Sequence, residues 1–231
     1  MYQTDVLDSS PVYRSAAEIN SAMLRVYNHM ALAVITSMVV SFLVSTSPAL
    51  MAFLFTGWMK WIVIFAPLAA VFGVTIALNA NPPKEIAVLL LHGFAVIMGL
   101  SFATIFVVFK LGSIVSAFFG AAVLFATMSL YGYFTKRSLE KMGQFMFVGL
   151  IAIVLASIVN VFIGSSVMQM VISALAVVIF LGLTAWDTQQ IREIVSTDSS
   201  GTQEVTGALT LYLNFINIFL SLLNLFGSKN E

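Results

Sequence analysis

Seven stretches of mostly apolar residues, each about as long as a membrane is thick, run through this 231-residue chain. A helix needs about 20 such residues to cross the hydrocarbon core. The stretches fall at roughly 25–47, 60–79, 86–109, 113–133, 145–163, 167–191 and 205–226. Only 9% of the residues are charged, against about 25% in a soluble domain. So few charges cannot cover a water-facing surface. The expected fold is an all-α polytopic membrane protein with seven transmembrane helices. Residues 1–22 are expected to form a polar cytoplasmic tail, and residues 23–231 the seven-helix domain. The tail lacks the basic start and apolar core of a signal peptide.

The breaks between spans have local causes. Ser45-Thr46-Ser47-Pro48 ends the first span and Asn79-Ala80-Asn81-Pro82-Pro83 the second, because proline cannot continue a helix. Lys110-Leu111-Gly112-Ser113, the run from Thr135 to Lys141, Gly164-Ser165-Ser166 and the run from Ser196 to Gly201 divide the others. Lys and Arg then set the orientation. Arg14, Arg25, Lys84, Lys136, Arg137, Lys141 and Arg192 share one side, and Lys60, Lys110 and Lys229 the other. That distribution places the N-terminus in the cytoplasm and, across seven spans, the C-terminus outside; one re-entrant span would return the C-terminus inside. Trp58 and Trp61 suit an interfacial belt.

Asp187 is the one carboxylate set within a long apolar segment, in Leu183-Thr184-Ala185-Trp186-Asp187-Thr188-Gln189. A charge at the centre of a membrane helix costs about 2.5–3.5 kcal/mol on insertion scales, so its retention points to function. In the last span, Thr206, Thr210, Asn214, Asn217, Ser221 and Asn224 recur at three- and four-residue spacing and share one helical face. Such a stripe must face protein or water. It serves either as hydrogen-bonding glue between helices or, in part, as the lining of a hydrated path. The last two spans form a hairpin about Ser199-Ser200-Gly201, and Asp187 and Asn214 lie almost equidistant from that turn. In an antiparallel pair they share a depth, so carboxylate and carboxamide are expected to meet. Two small-residue stripes, Ala66-Ala70-Gly73-Ala77 and Ala95-Gly99-Ala103, predict close helix packing. Pro67 predicts a kink in the second span.

Other chemistry finds little support. There is no cysteine, which removes disulfides and thiolate sites. His29 and His92 have no partner nearby in sequence and read as hydrogen-bonded structural histidines. An intramembrane aspartyl protease needs two carboxylates sharing a proton, and one is present. No H-E-x-x-H, Walker, dinucleotide or G-x-S-x-G motif occurs. The expectation is a protein without enzymatic activity, resident cofactor or nucleic-acid partner.

Three stretches together resemble the Bax inhibitor-1 (transmembrane Bax-inhibitor-motif) family in its bacterial branch. They are the runs Ser129–Arg137, Val178–Gln189 and Gly207–Phe219. The resemblance implies a central helix surrounded by the others, a location in the bacterial inner membrane, and a passive, pH-modulated calcium leak. In that family the aspartate matching Asp187 pairs with a second aspartate, which corresponds to Asn214 here, and some members latch the pair with an arginine late in the second helix. This chain has no arginine there, and Lys84 is the nearest cation. An Asp facing an Asn loses the like-charge coupling of two carboxylates, so Asp187 is expected to titrate as a single site. The site residues are then Asp187 and Asn214 as gate and pH sensor, with Thr184, Asn217 and Thr210 along the ion pathway. Calcium at Asp187 is weak and partly hydrated, since that ion prefers six to eight oxygens and several carboxylates. The resemblance also implies a second reading, in which the chain restrains a membrane-anchored ATP-dependent protease or another membrane partner through its N-terminal tail. The oligomeric state stays open.

Overall fold

The computed structural model describes residues 14–198 and 200–230. Eight helices follow one another among these residues: α1 (Ala16–Ser45), α2 (Pro48–Phe55), α3 (Met59–Asn79), α4 (Lys84–Val108), α5 (Leu111–Phe134), α6 (Glu140–Ile163), α7 (Ser166–Thr197) and α8 (Thr202–Phe226). All except α2 are long and apolar enough to span a membrane. The seven spans match the expected ones in order and place, and the protein is an all-α polytopic membrane protein. The short α2 was not expected. Ser47 caps it by accepting from the amide of Leu50, and Pro48 opens it, where proline's missing N–H costs nothing.

Helix ends differ from hydropathy edges for a physical reason. Hydropathy marks where lipid begins, whereas capping marks where the helix begins. α1 starts at Ala16 because Ser15 and Glu18 form a reciprocal capping box. The segment expected to be a tail through residue 22 is therefore helical from Ala16, and positions 1–13 lie outside the described residues. α6 likewise begins ahead of its apolar run, at Glu140, and α7 continues past its own to Thr197. α3 runs on through Pro67. At Gly201 the turn into α8 needs a left-handed residue (φ 76°), and a Cβ there would also press on the Lys84 side chain.

The chain alternates between two faces. The N-terminal face holds the starts of α1, α4, α6 and α8. The opposite face holds their ends, and there Lys110 donates its amide to the Ser228 carbonyl and Phe109 bridges Lys229. α8 is the central helix. It packs on α1, α3, α4, α5 and α7, and Tyr212, Leu211 and Ile218 on it are fully buried. α6 packs on α7, outside the ring about α8.

Close approaches bring α7 into position. A Cβ on Gly132 of α5 would collide with the backbone of Ala185, one on Gly143 of α6 with the Trp186 ring, and one on Gly182 of α7 with Met146. These contacts all fall on α7 within the five residues before Asp187. The stripe Ala95-Gly99-Ala103 seats α4 against α1, where a Cβ on Gly99 would meet the Ser37 carbonyl and Val40. In the other stripe Ala66, Ala70 and Ala77 are half-buried and Ala70 packs against the core, on the face that also buries Val63, Val74 and Leu78, while Gly73 is exposed with nothing close by.

Candidate functional site

Asp187 lies on α7 about ten residues before its end at Thr197, so ~15 Å of helix separates it from the N-terminal face. Asn214 lies at matching depth on α8. Its side-chain nitrogen donates to the Asp187 carboxylate at 2.6 Å. Asn214 is buried and Asp187 half-buried. The hairpin thus brings together the two residues that sequence spacing paired. The hydrogen bond to a charged acceptor is worth about 1.5–3 kcal/mol. Among the described residues, no cation lies within ion-pair distance of Asp187, and no group of three His or acidic side chains could hold a metal. The amide nitrogen, rather than the carbonyl, faces the carboxylate. A cation held by both side-chain oxygens therefore requires the amide to turn over.

The three expected pathway residues satisfy themselves within their own helices. The Thr184 hydroxyl donates to Phe180 O (2.7 Å), the Thr210 hydroxyl to Thr206 O (3.2 Å) and the Asn217 amide to Leu213 O (2.8 Å). Thr184 is fully buried, while Thr210 and Asn217 are half-buried. Asn224, at the end of the stripe, is exposed. The stripe therefore changes environment along its length.

Lys84 does not reach Asp187. It opens α4 at the N-terminal face and pairs with Glu204 at 3.1 Å. Glu204 is a second buried carboxylate, only 3% exposed, which sequence reading missed by starting the last span at Val205. Arg25 binds it with two nitrogens at 2.6 and 2.8 Å, and Arg14 stands at 4.0 Å. Arg14 is itself anchored to α7, through its backbone amide on Ser196 O and its guanidinium on Val195 O. One carboxylate thus ties the start of α8 to α1 and α4 and to the segment preceding α1. The missed signal was an acid in the first turn of a helix, where the positive end of the dipole favours it. Glu204 lies two residues from Thr206, a spacing that turns it away from the stripe.

Two polar relays were also missed, because their members are distant in sequence. Tyr27 of α1 bonds Ser129 of α5 (2.7 Å), which bonds Thr188 of α7 (3.0 Å), directly beside Asp187. Ser37 of α1 bonds both Ala95 O and the hydroxyl of buried Tyr212. His92 meets the Thr36 hydroxyl at 3.1 Å, a structural contact as expected.

Beyond Asn214, toward the opposite face, an aromatic cluster packs alongside the continuing stripe of Asn217 and Ser221. Phe118 stacks edge-on against Phe215 (5.4 Å between centroids) and Phe219 (6.3 Å), and Phe125 against Phe215 (5.8 Å).

Comparison with known proteins agrees with the architecture. The family described as inhibitor of apoptosis-promoting Bax1 matches residues 19–231. The chain is 36% identical to the inner membrane protein YbhL of Escherichia coli K12 over 228 residues, covering 96% of this chain and 97% of that one. It is 35% identical to the uncharacterized protein RP147 of Rickettsia prowazekii, over 90% of both chains. An uncharacterized protein of Borreliella burgdorferi is 34% identical over 92% of this chain and 94% of its own length. With seven spans, a central α8 and a match along nearly its whole length, the chain belongs to the Bax inhibitor-1 family of integral membrane proteins.

Proposed function

We propose that this protein is a passive cation leak, with calcium as the permeant ion, gated at the Asp187–Asn214 contact. The observation that carries this reading is a carboxylate at membrane depth whose partner is a neutral amide across the final hairpin. A carboxylate so placed attracts a cation without neutralising it first. One carboxylate and one carboxamide hold calcium weakly, since it prefers several carboxylates, and weak holding suits permeation because the ion must leave again.

In this reading the N-terminal face is cytoplasmic, supported by seven of the ten Lys and Arg residues lying on that side. Ions reach Asp187 along the α8 stripe through Thr206 and Thr210. The cluster of Phe118, Phe125, Phe215 and Phe219 is the shut segment, a hydrophobic constriction that water leaves unfilled. Opening requires the α7–α8 contact to loosen so that these rings separate.

The absence of cysteine makes the path testable by single substitutions. Thr210→Cys is expected to react with a membrane-impermeant maleimide applied at the N-terminal face and not at the other. Phe219→Cys is expected to stay unlabelled from either face. Protection of Thr210→Cys from both faces contradicts a hydrated approach to Asp187. In calcium-dye liposomes the native chain is expected to leak above the level of empty vesicles. A leak no greater than theirs favours the partner-binding reading instead.

A further inference from the structure

A cavity of about 320 Å³ lies between α1, α4, α5 and α8, in the half of the protein toward the opposite face. Its size falls at the lower end of the range for small-molecule sites. Along α5 its lining runs from Leu111 to Phe119, about 12 Å of helix. It is therefore elongated along the membrane normal. Its inner end rests on Phe118, Phe215 and Phe219, the rings proposed above as the shut segment. Its rim includes Leu111, Val115 and Phe119, which are exposed on the lipid-facing surface, so the cavity is continuous with the bilayer.

A further feature points to what fills it. At the outer end, Lys110 immediately precedes Leu111, and the Phe109–Lys229 bridge brings a second lysine beside it. Both lysines are exposed, and among the described residues neither pairs with a carboxylate.

We propose that the cavity binds one acyl chain of an anionic phospholipid, with the phosphate on Lys110 and Lys229. The tail then lies lengthwise against the aromatic cluster. A bilayer lipid so placed supports the rings in their packed arrangement, which couples lipid occupancy to the closed segment. The binding itself does not depend on the leak, and its test uses no flux.

The test is photolabelling of the full chain in nanodiscs with phosphatidylglycerol carrying a diazirine in its acyl chain, followed by peptide mapping. Labels are expected to concentrate on residues 34–41 of α1 and 102–106 of α4, which line the cavity. Ile114→Trp fills the cavity from α5 and is expected to reduce this labelling to the level of scattered surface labels. Val34→Phe fills it from α1 and gives the same result where Ile114→Trp folds poorly. Lys110→Glu is expected to lower labelling by the phosphatidylglycerol probe about fivefold, the worth of one lysine near an anionic headgroup, and to lower labelling by the matching phosphatidylcholine probe, whose phosphate is offset by its own choline, by less. Labels spread evenly over the lipid-facing helices, or cavity labels that survive both filling variants, overturn the proposal. Equal loss of both probes in Lys110→Glu overturns the preference for an anionic lipid.

Discussion

Glu204→Gln is expected to destabilise the protein by about 2–4 kcal/mol, read as a lowered unfolding midpoint in detergent. The substitution keeps the volume of the side chain and removes its charge. Arg14, Arg25 and Lys84 then converge on a neutral group. Removing one partner of a buried ion pair costs about 3–5 kcal/mol, because the other charges are left uncompensated. The value here is set lower because the Arg25 and Lys84 side chains are 43% and 36% exposed, so solvent screens part of the repulsion. Loss of a negative charge in the first turn of α8 adds a few tenths to 1 kcal/mol. Arg25→Gln is expected to cost less, since Lys84 stays on the carboxylate. Equal midpoints for Glu204→Gln and the native chain contradict a role for Glu204 in joining α1, α4 and α8.

Asn214→Asp carries the second large effect. It replaces a donor at 2.6 Å from Asp187 with another carboxylate, as the family resemblance implies for other members. Two carboxylates at that distance share a proton and titrate as a coupled pair. When both are ionised, their repulsion amounts to a few kcal/mol even with the effective dielectric constant of about 20 that suits protein sites. The α7–α8 contact is then driven apart. Calcium flux through Asn214→Asp is expected to exceed the native rate by about tenfold or more on the alkaline side, which corresponds to a barrier difference of about 1.4 kcal/mol. On the acid side it is expected to fall back to the native level. The native profile follows a single proton and is shallower. Superimposable profiles for the two proteins contradict the gate assigned to this contact.

The features legible in the sequence were those with local or periodic causes. Apolar length located the seven spans, and Pro48, Pro82 and Gly164 marked breaks between them. The Asp187–Asn214 contact was legible because hairpin geometry converts equal sequence distance from a turn into equal depth. Glu204 was not legible as a site residue. Its burial comes from Arg25 and Lys84, which lie 179 and 120 residues away in sequence, and no hydropathy window senses such neighbours. The Tyr27–Ser129–Thr188 relay was hidden for the same reason. The α3 stripe was legible in part: Ala66, Ala70 and Ala77 are half-buried beside Val63, Val74 and Leu78, whereas Gly73 is exposed. The short α2 was hidden in a segment too brief to span a membrane.

These placements divide the work between two acidic residues. Glu204 fastens the N-terminal ends of three helices. Asp187 lies deeper, held by one hydrogen bond. The first arrangement is suited to stability, and the second to change.

The most direct test compares calcium-dye flux in proteoliposomes for the native chain, Asp187→Asn and Asp187→Ala. Asp187→Asn keeps the size of the side chain and abolishes its charge, so a cation loses its one attractive group along the path. Asp187→Asn, which keeps an acceptor for Asn214, is expected to leak at least about tenfold more slowly than the native chain, equivalent to ~1.4 kcal/mol of barrier, and both variants to lose their response to pH. Native-like flux with a preserved pH response in Asp187→Asn would contradict the assignment of this carboxylate to ion passage.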